Sequence, residues 1–163
     1  MFYKSIKIYA TLFFLMVSVV QLKAQNPYDV STEQALNSLQ AAKKKAEEMN
    51  VLVNIAVVDA GANLKSFVRM DNSYLGSIDV AIKKAKTARY FDIDTGKLGE
   101  LTQPGGIIYN IELSNNGLIT FPGGVPIKNK DGKIIGAIGV SGGTIEEDRI
   151  IANAGADFLL TEN

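Results

Sequence analysis

Apolar residues Ala35, Leu36, Leu39, Ala42, Ala46 and Met49 recur at steps of three and four, with lysines and glutamates between them. That period predicts an amphipathic helix whose charged face is solvated. Ser31 and Gln34 fit a capping box at its start, where each side chain satisfies a free backbone N–H of the other. Val51 to Val58 breaks the pattern, reading Val-Leu-Val-Asn-Ile-Ala-Val-Val. An almost wholly apolar run of this length predicts a strand buried on both sheet faces, so helices should cover both sides. Asp59 to Asn63 turns the chain, and Leu64 to Met70 pairs back with Lys65 and Arg69 at alternating positions. Ser77 then opens a helix in which Ile78, Ala81, Ile82, Ala85 and Ala88 make a stripe of mostly small residues able to lie flat on a sheet. Lys83, Lys84, Lys86 and Arg89 surround that stripe and read mainly as a solvated face.

Phe91 to Gln103 is mixed, with a short helix near Leu98 to Leu101, and Pro104-Gly105-Gly106 breaks it. Ile107 to Leu113 fits a short helix or an irregular strand equally well. Asn115-Asn116-Gly117 makes a turn before Leu118 to Phe121, a third expected strand. Val125 to Lys128 and Ile134 to Val140 form a hairpin around Asn129-Lys130-Asp131-Gly132, since Asp-Gly readily supplies the positive φ of a tight turn. Gly136 and Gly139 in the second of these strands mark close approach to the backbone. After Ser141-Gly142-Gly143, Thr144 and Glu147 fit a second capping box, opening a last helix to Leu160 with Ile145, Ile150, Ile151, Ala154 and Phe158 on its apolar face. The expected architecture is α/β (α+β), an antiparallel sheet of about five strands flanked by helices on both faces.

Length and charge refine this. A chain of 163 residues accommodates one domain with a proper core. Lys4 and Lys7 precede an apolar run from Ile8 to Val20 that ends near Ala24, the pattern of a cleaved signal peptide over 1–24. The domain then covers 25–163, and the mature protein is expected to be exported, periplasmic or extracellular. Losing Lys4, Lys7 and Lys23 takes 17 basic residues to 14 against 17 acidic ones, a mildly acidic balance with no basic patch for nucleic acid. Cysteine is absent, so core packing rather than disulfides must stabilise the fold.

Histidine is absent too. Gly139-Val140-Ser141-Gly142-Gly143 matches a hydrolase nucleophile elbow, but no imidazole exists to activate Ser141. The glycine spacing fits neither a P-loop nor a dinucleotide fingerprint. Conventional zinc, copper and iron–sulfur sites are likewise excluded. What remains is the glycine turn itself, where unpaired N–H groups and the positive end of the last helix would suit an anionic group.

Taken together, Val57-Val58-Asp59 with Gly61 and Leu64, Arg69-Met70-Asp71, Ile82 to Ala88, Gly123 to Ile127, and Gly136 to Gly143 with Glu147-Asp148 resemble the family that includes GlcG, the haem-binding protein HbpS and the C-terminal domain of some cobalamin adenosyltransferases. The resemblance covers most of the mature chain. It implies a small domain with an antiparallel sheet between helices, homo-oligomeric assembly and, in several members, haem as cofactor. The first functional reading is therefore an exported protein binding haem, another tetrapyrrole or a small anionic ligand. Gly123, Gly124, Ser141, Gly142, Gly143 and Thr144 would form the seat, with Arg69 and Lys84 as counter-charges. Iron would need an oxygen or sulfur donor from Tyr90, Tyr109, Thr87 or Met70, or would go unligated. A second reading is a small-molecule oxidoreductase or haem-degrading enzyme with Asp71, Glu147 or Asp148 handling protons. A third is an oligomeric sensory or structural protein without a cofactor.

Overall fold

The computed structural model describes residues 28–161, so the expected leader and its cleavage point lie outside the described residues. Helix α1 (Thr32–Met49) is followed by β1 (Asn54–Asp59), β2 (Leu64–Arg69), α2 (Ser77–Phe91), the short α3 (Thr95–Glu100), β3 (Gly124–Lys128), β4 (Ile134–Ser141) and α4 (Ile145–Thr161). A 3₁₀ turn spans Ile111–Leu113. The strands make one antiparallel sheet in the order β2-β1-β4-β3, with α1 and α4 on one face and α2 on the other.

Local chemistry starts the elements where the pattern places them. The Ser31 hydroxyl accepts from the Gln34 N–H at 3.0 Å while the Ser31 N–H donates to the Gln34 side chain at 2.9 Å, completing the capping box. Asn50 ends α1 in the left-handed conformation, and the Val51 N–H returns to the Ala46 carbonyl. That closure delays β1 until Asn54, later than the apolar run alone suggests. Residues 118–121 are not a strand, which leaves four strands among the described residues. Here the backbone pairs locally: the Leu118 N–H donates to the Glu112 carbonyl, and the Ile119 N–H donates to the Thr87 hydroxyl at 3.1 Å.

The two sheet faces are built from different side chains. Facing α1 and α4 are Val53, Ile55, Val57, Ile138 and Val140, packed against Leu39, Ala42, Ile151 and Ala156. Facing α2 are Ala56, Val58 and Ala137, against Ala81, Ala85 and Ala88. Helix α2 lies so close to β4 that a methyl group on Gly139 would overlap the Ala81 carbonyl. The close approach marked by Gly139 is thus made by a helix. In α4 the buried residues are Asp148, Ile151, Ala152, Gly155, Ala156 and Leu159, so the helix is rotated from the expected face and Ile145 and Ile150 are exposed.

Strand β3 borders the sheet. The Gly124 N–H points away from β4 to the Thr95 hydroxyl at 2.9 Å, so alternation places residue 126 outward as well, and Pro126 carries no N–H. The register shifts between Ile127 and Lys128, ending the strand in a bulge.

Candidate functional site

Lys84 is completely buried. Its Nζ donates to the Asp148 Oδ2 at 2.7 Å and to the Val140 carbonyl at 2.9 Å, with the Phe121 ring centroid 4.8 Å away. Asp148, also buried, accepts the Gly143 N–H on Oδ1 at 3.0 Å. Burial pushes the Lys84 ammonium below its usual range and the Asp148 carboxyl above its own, while each partner's charge opposes the shift. Gly123 has φ +118°, and a side chain there would meet the Lys84 Nζ at 2.7 Å. Gly123 and Gly124 therefore make room for an internal ion pair and for the Thr95 contact. Ser141 is buried at the end of β4, opposite Asn54.

The helix start is satisfied from within the chain. The Thr144 N–H donates to the Glu147 Oε2 at 2.8 Å, and the Glu147 N–H donates to the Thr144 hydroxyl at 3.3 Å. With Gly143 bonded to Asp148, the N–H groups of 143 and 144 both hold carboxylates of the protein itself, and the first turn carries Glu146, Glu147 and Asp148. Where sequence reasoning seats a ligand anion, the structure places internal ones, and Lys84 is committed to Asp148.

The glycine turn nonetheless borders open space. A 380 Å³ cavity runs between Asn50, Leu52, Asn72, Tyr74 and the Gly142-Gly143 turn. A second cavity, of 320 Å³, shares Leu52 and Asn72 with the first and extends to Lys43, Arg69 and Asp71. Sharing those walls, they form one groove that brings Arg69 into line with the glycine turn. Buried polar groups hold the 71–75 turn that shapes it: the Ser73 hydroxyl donates to the Met70 carbonyl at 2.7 Å, and the Asn54 Nδ2 donates to the Tyr74 carbonyl at 3.1 Å. Tyr74 is thereby held in the groove wall with 73% of its surface exposed. Sequence reasoning missed it. The available signal was an aromatic–aliphatic pair, Tyr74-Leu75, between a polar turn and a helix start.

Of the expected iron donors, Met70 packs in the core beneath the Arg69 end of the groove, which it lines, and the Thr87 hydroxyl accepts the Ile119 N–H. Tyr90 and Tyr109 are about half exposed but line neither part of the groove. Among the carboxylates, Glu147 caps α4, Asp148 holds Lys84, and Asp71 lies exposed at the far end of the groove. No group of three or more acidic residues among the described residues is placed to hold a metal ion. No helix among them is long and apolar enough to cross a membrane.

A four-stranded antiparallel sheet sandwiched by helices, with a groove beside a glycine turn, defines a small α+β domain. The chain belongs to the family described as haem degrading protein HbpS-like, which it matches over residues 30–157. An uncharacterised 15.0 kDa protein of Citrobacter freundii, from the dhaT-dhaS intergenic region, is 38% identical over 136 residues, covering 83% of this chain and 95% of that one. The crystal structure of Klebsiella pneumoniae ORFY superposes with a TM-score of 0.81 at 34% identity, covering 88% of this chain and 99% of that one. The PduOC:haem complex superposes with a TM-score of 0.74 at 32% identity, covering 78% and 93%.

Proposed function

We propose that this chain is an exported, homo-oligomeric binding protein for haem or a related anionic tetrapyrrole, seated in the groove beside Gly142-Gly143. The observation that carries this reading is Tyr74, an exposed residue lining the same cavity as Gly142 and Gly143. In a chain without histidine, a phenol is the strongest oxygen donor available to haem iron. Family membership and the haem-bound relative support the choice of ligand. A bound haem would supply an iron centre open to an oxygen donor. Arg69 would meet a propionate as a charge-assisted partner, while Lys43 is already paired with Glu47 in the same wall, and Leu52 and Val68 would supply apolar contact. Lys84, closed off by Asp148, takes no part in binding.

Haemin titration of the purified protein should give a saturable Soret shift without the low-spin signature of two strong nitrogen ligands. Tyr74→Phe should change that spectrum, and Arg69→Ala should weaken binding. A haemin spectrum left unchanged at concentrations well above micromolar would refute the proposal. A spectrum that responds to Tyr90→Phe or Tyr109→Phe instead of Tyr74→Phe would move the seat out of this groove.

A further inference from the structure

A 420 Å³ cleft lies between the 92–97 segment, the free edge of β3 and the outer side of α4, and it shares no residue with the groove. Its walls carry three cationic side chains, Lys97, Lys128 and Arg149. Arg149 engages Asp94, its Nε 3.2 Å from Oδ2. Lys97 and Lys128 have no ion-pair partner among the described residues. Three carboxylates, Asp92, Asp94 and Asp157, share the cleft with these cations, and Asp94 already holds Arg149. Asp92 pairs with Arg89, and Asp94 accepts the Gly96 and Lys97 N–H groups at 2.8 and 3.1 Å. Asp157, two turns beyond Arg149 on α4, is the remaining carboxylate in the wall and has no ion pair. Val125, Pro126, Ala156 and Leu160 give the cleft an apolar floor.

From this arrangement we infer a second binding site, for a small organic anion whose carboxylate or phosphate meets Arg149, Lys97 and Lys128 and whose apolar body lies over Val125, Pro126 and Ala156. The guanidinium supplies the directional contact because two parallel N–H donors match two oxygens of either head group, while the lysines add charge. The floor selects for an organic body, since each methylene removed from water raises affinity about fourfold. Asp157 opposes any anion, which gives the site a testable sign.

Titrations of the full protein with butyl phosphate, hexanoate and inorganic phosphate, followed by amide NMR shifts, test this. Saturable shifts should centre on 92–97, 125–128 and 149–157. Butyl phosphate should bind at least about fourfold tighter than inorganic phosphate. The ratio of butyl phosphate to hexanoate affinity, corrected by about fourfold for the extra methylene of hexanoate, identifies which head group the site prefers. Arg149→Gln should weaken binding about tenfold and Lys97→Gln or Lys128→Gln about twofold, whereas Asp157→Asn should tighten it. Arg69→Ala, in the groove, should leave it unchanged, which separates this site from the haem reading. Because Arg149 loses only a partly exposed ion pair, its variant should melt close to the parent. No saturable shift with any probe would overturn the inference. So would shifts centred on the groove, equal affinity for inorganic and butyl phosphate, or undiminished binding by folded Arg149→Gln protein.

Discussion

One face of the sheet carries valines and isoleucines beneath two helices, while the other carries mostly alanines and two close glycine contacts, at Gly124 and Gly139, beneath one. Branched side chains hold α1 and α4 at a distance and can re-pack when one is trimmed. On the alanine face the α2 backbone sits almost on β4, so nothing there can yield. On the same helix as those alanines, Lys84 delivers its ammonium to Asp148 at the start of α4. The tighter face buries smaller side chains and carries a buried ion pair that the other face lacks.

The largest effect expected from breaking this contrast is on that pair. Lys84→Met leaves Asp148 as an unpaired buried charge and should cost about 3–5 kcal/mol in chemical denaturation, whereas Lys84→Met with Asp148→Leu should recover much of the loss. A single variant no worse than the double would show that the pair is not what holds α2 to α4. Next, Ala85→Val adds two methyl groups to the face that cannot yield and should cost about 1–3 kcal/mol. On the opposite face, Ile151→Val removes one methyl group and should cost about 0.5–1.5 kcal/mol. Equal thermal shifts for these two variants would erase the contrast between the faces.

The smallest expected effect concerns the loop that leans on α2 through the Ile119–Thr87 bond. Glu112 accepts the Thr120 hydroxyl at 2.6 Å, and this bond holds its carboxyl below the usual carboxylate range. A depressed folded pKa contributes stability that is present above the ordinary carboxylate pKa and is lost as pH falls through the depressed value. Hydrogen exchange in residues 111–121 should therefore accelerate on acidification, and Glu112→Gln should flatten that dependence. An acid response identical in both proteins would assign it to other groups.

How legible these features are in the sequence follows from their range. Both capping boxes, the Asp-Gly hairpin and the alanine stripe depend on neighbours within about one helical turn, and the chain states them directly. The partnership of Lys84 with Asp148 spans 64 positions, and the lysines around residue 84 read as one solvated face. Helical phase held a clue, since 81, 84, 85 and 88 share a side and only 84 among them is charged. The idle strand at 118–121 was unreadable because its competitors are a loop carbonyl and the Thr87 hydroxyl, both supplied by the tertiary fold. At the candidate site, Gly123 and Gly124, expected to seat an anion, leave room for the internal Lys84, whereas Gly142 and Gly143 lie against residues 51–53 and Glu147. Tyr74 went unseen because an isolated aromatic in a turn has no periodicity.

Pro126 has a consequence for how this protein meets other chains. A sheet border recruits a foreign strand by offering a ladder of free amide N–H groups. On β3 that ladder is interrupted: the N–H of residue 124 is tied to Thr95, that of residue 126 is absent, and the register with β4 shifts before Lys128. This border cannot template strand addition, so domain-swapped or fibrous growth would have to start at β2, the other border of the sheet.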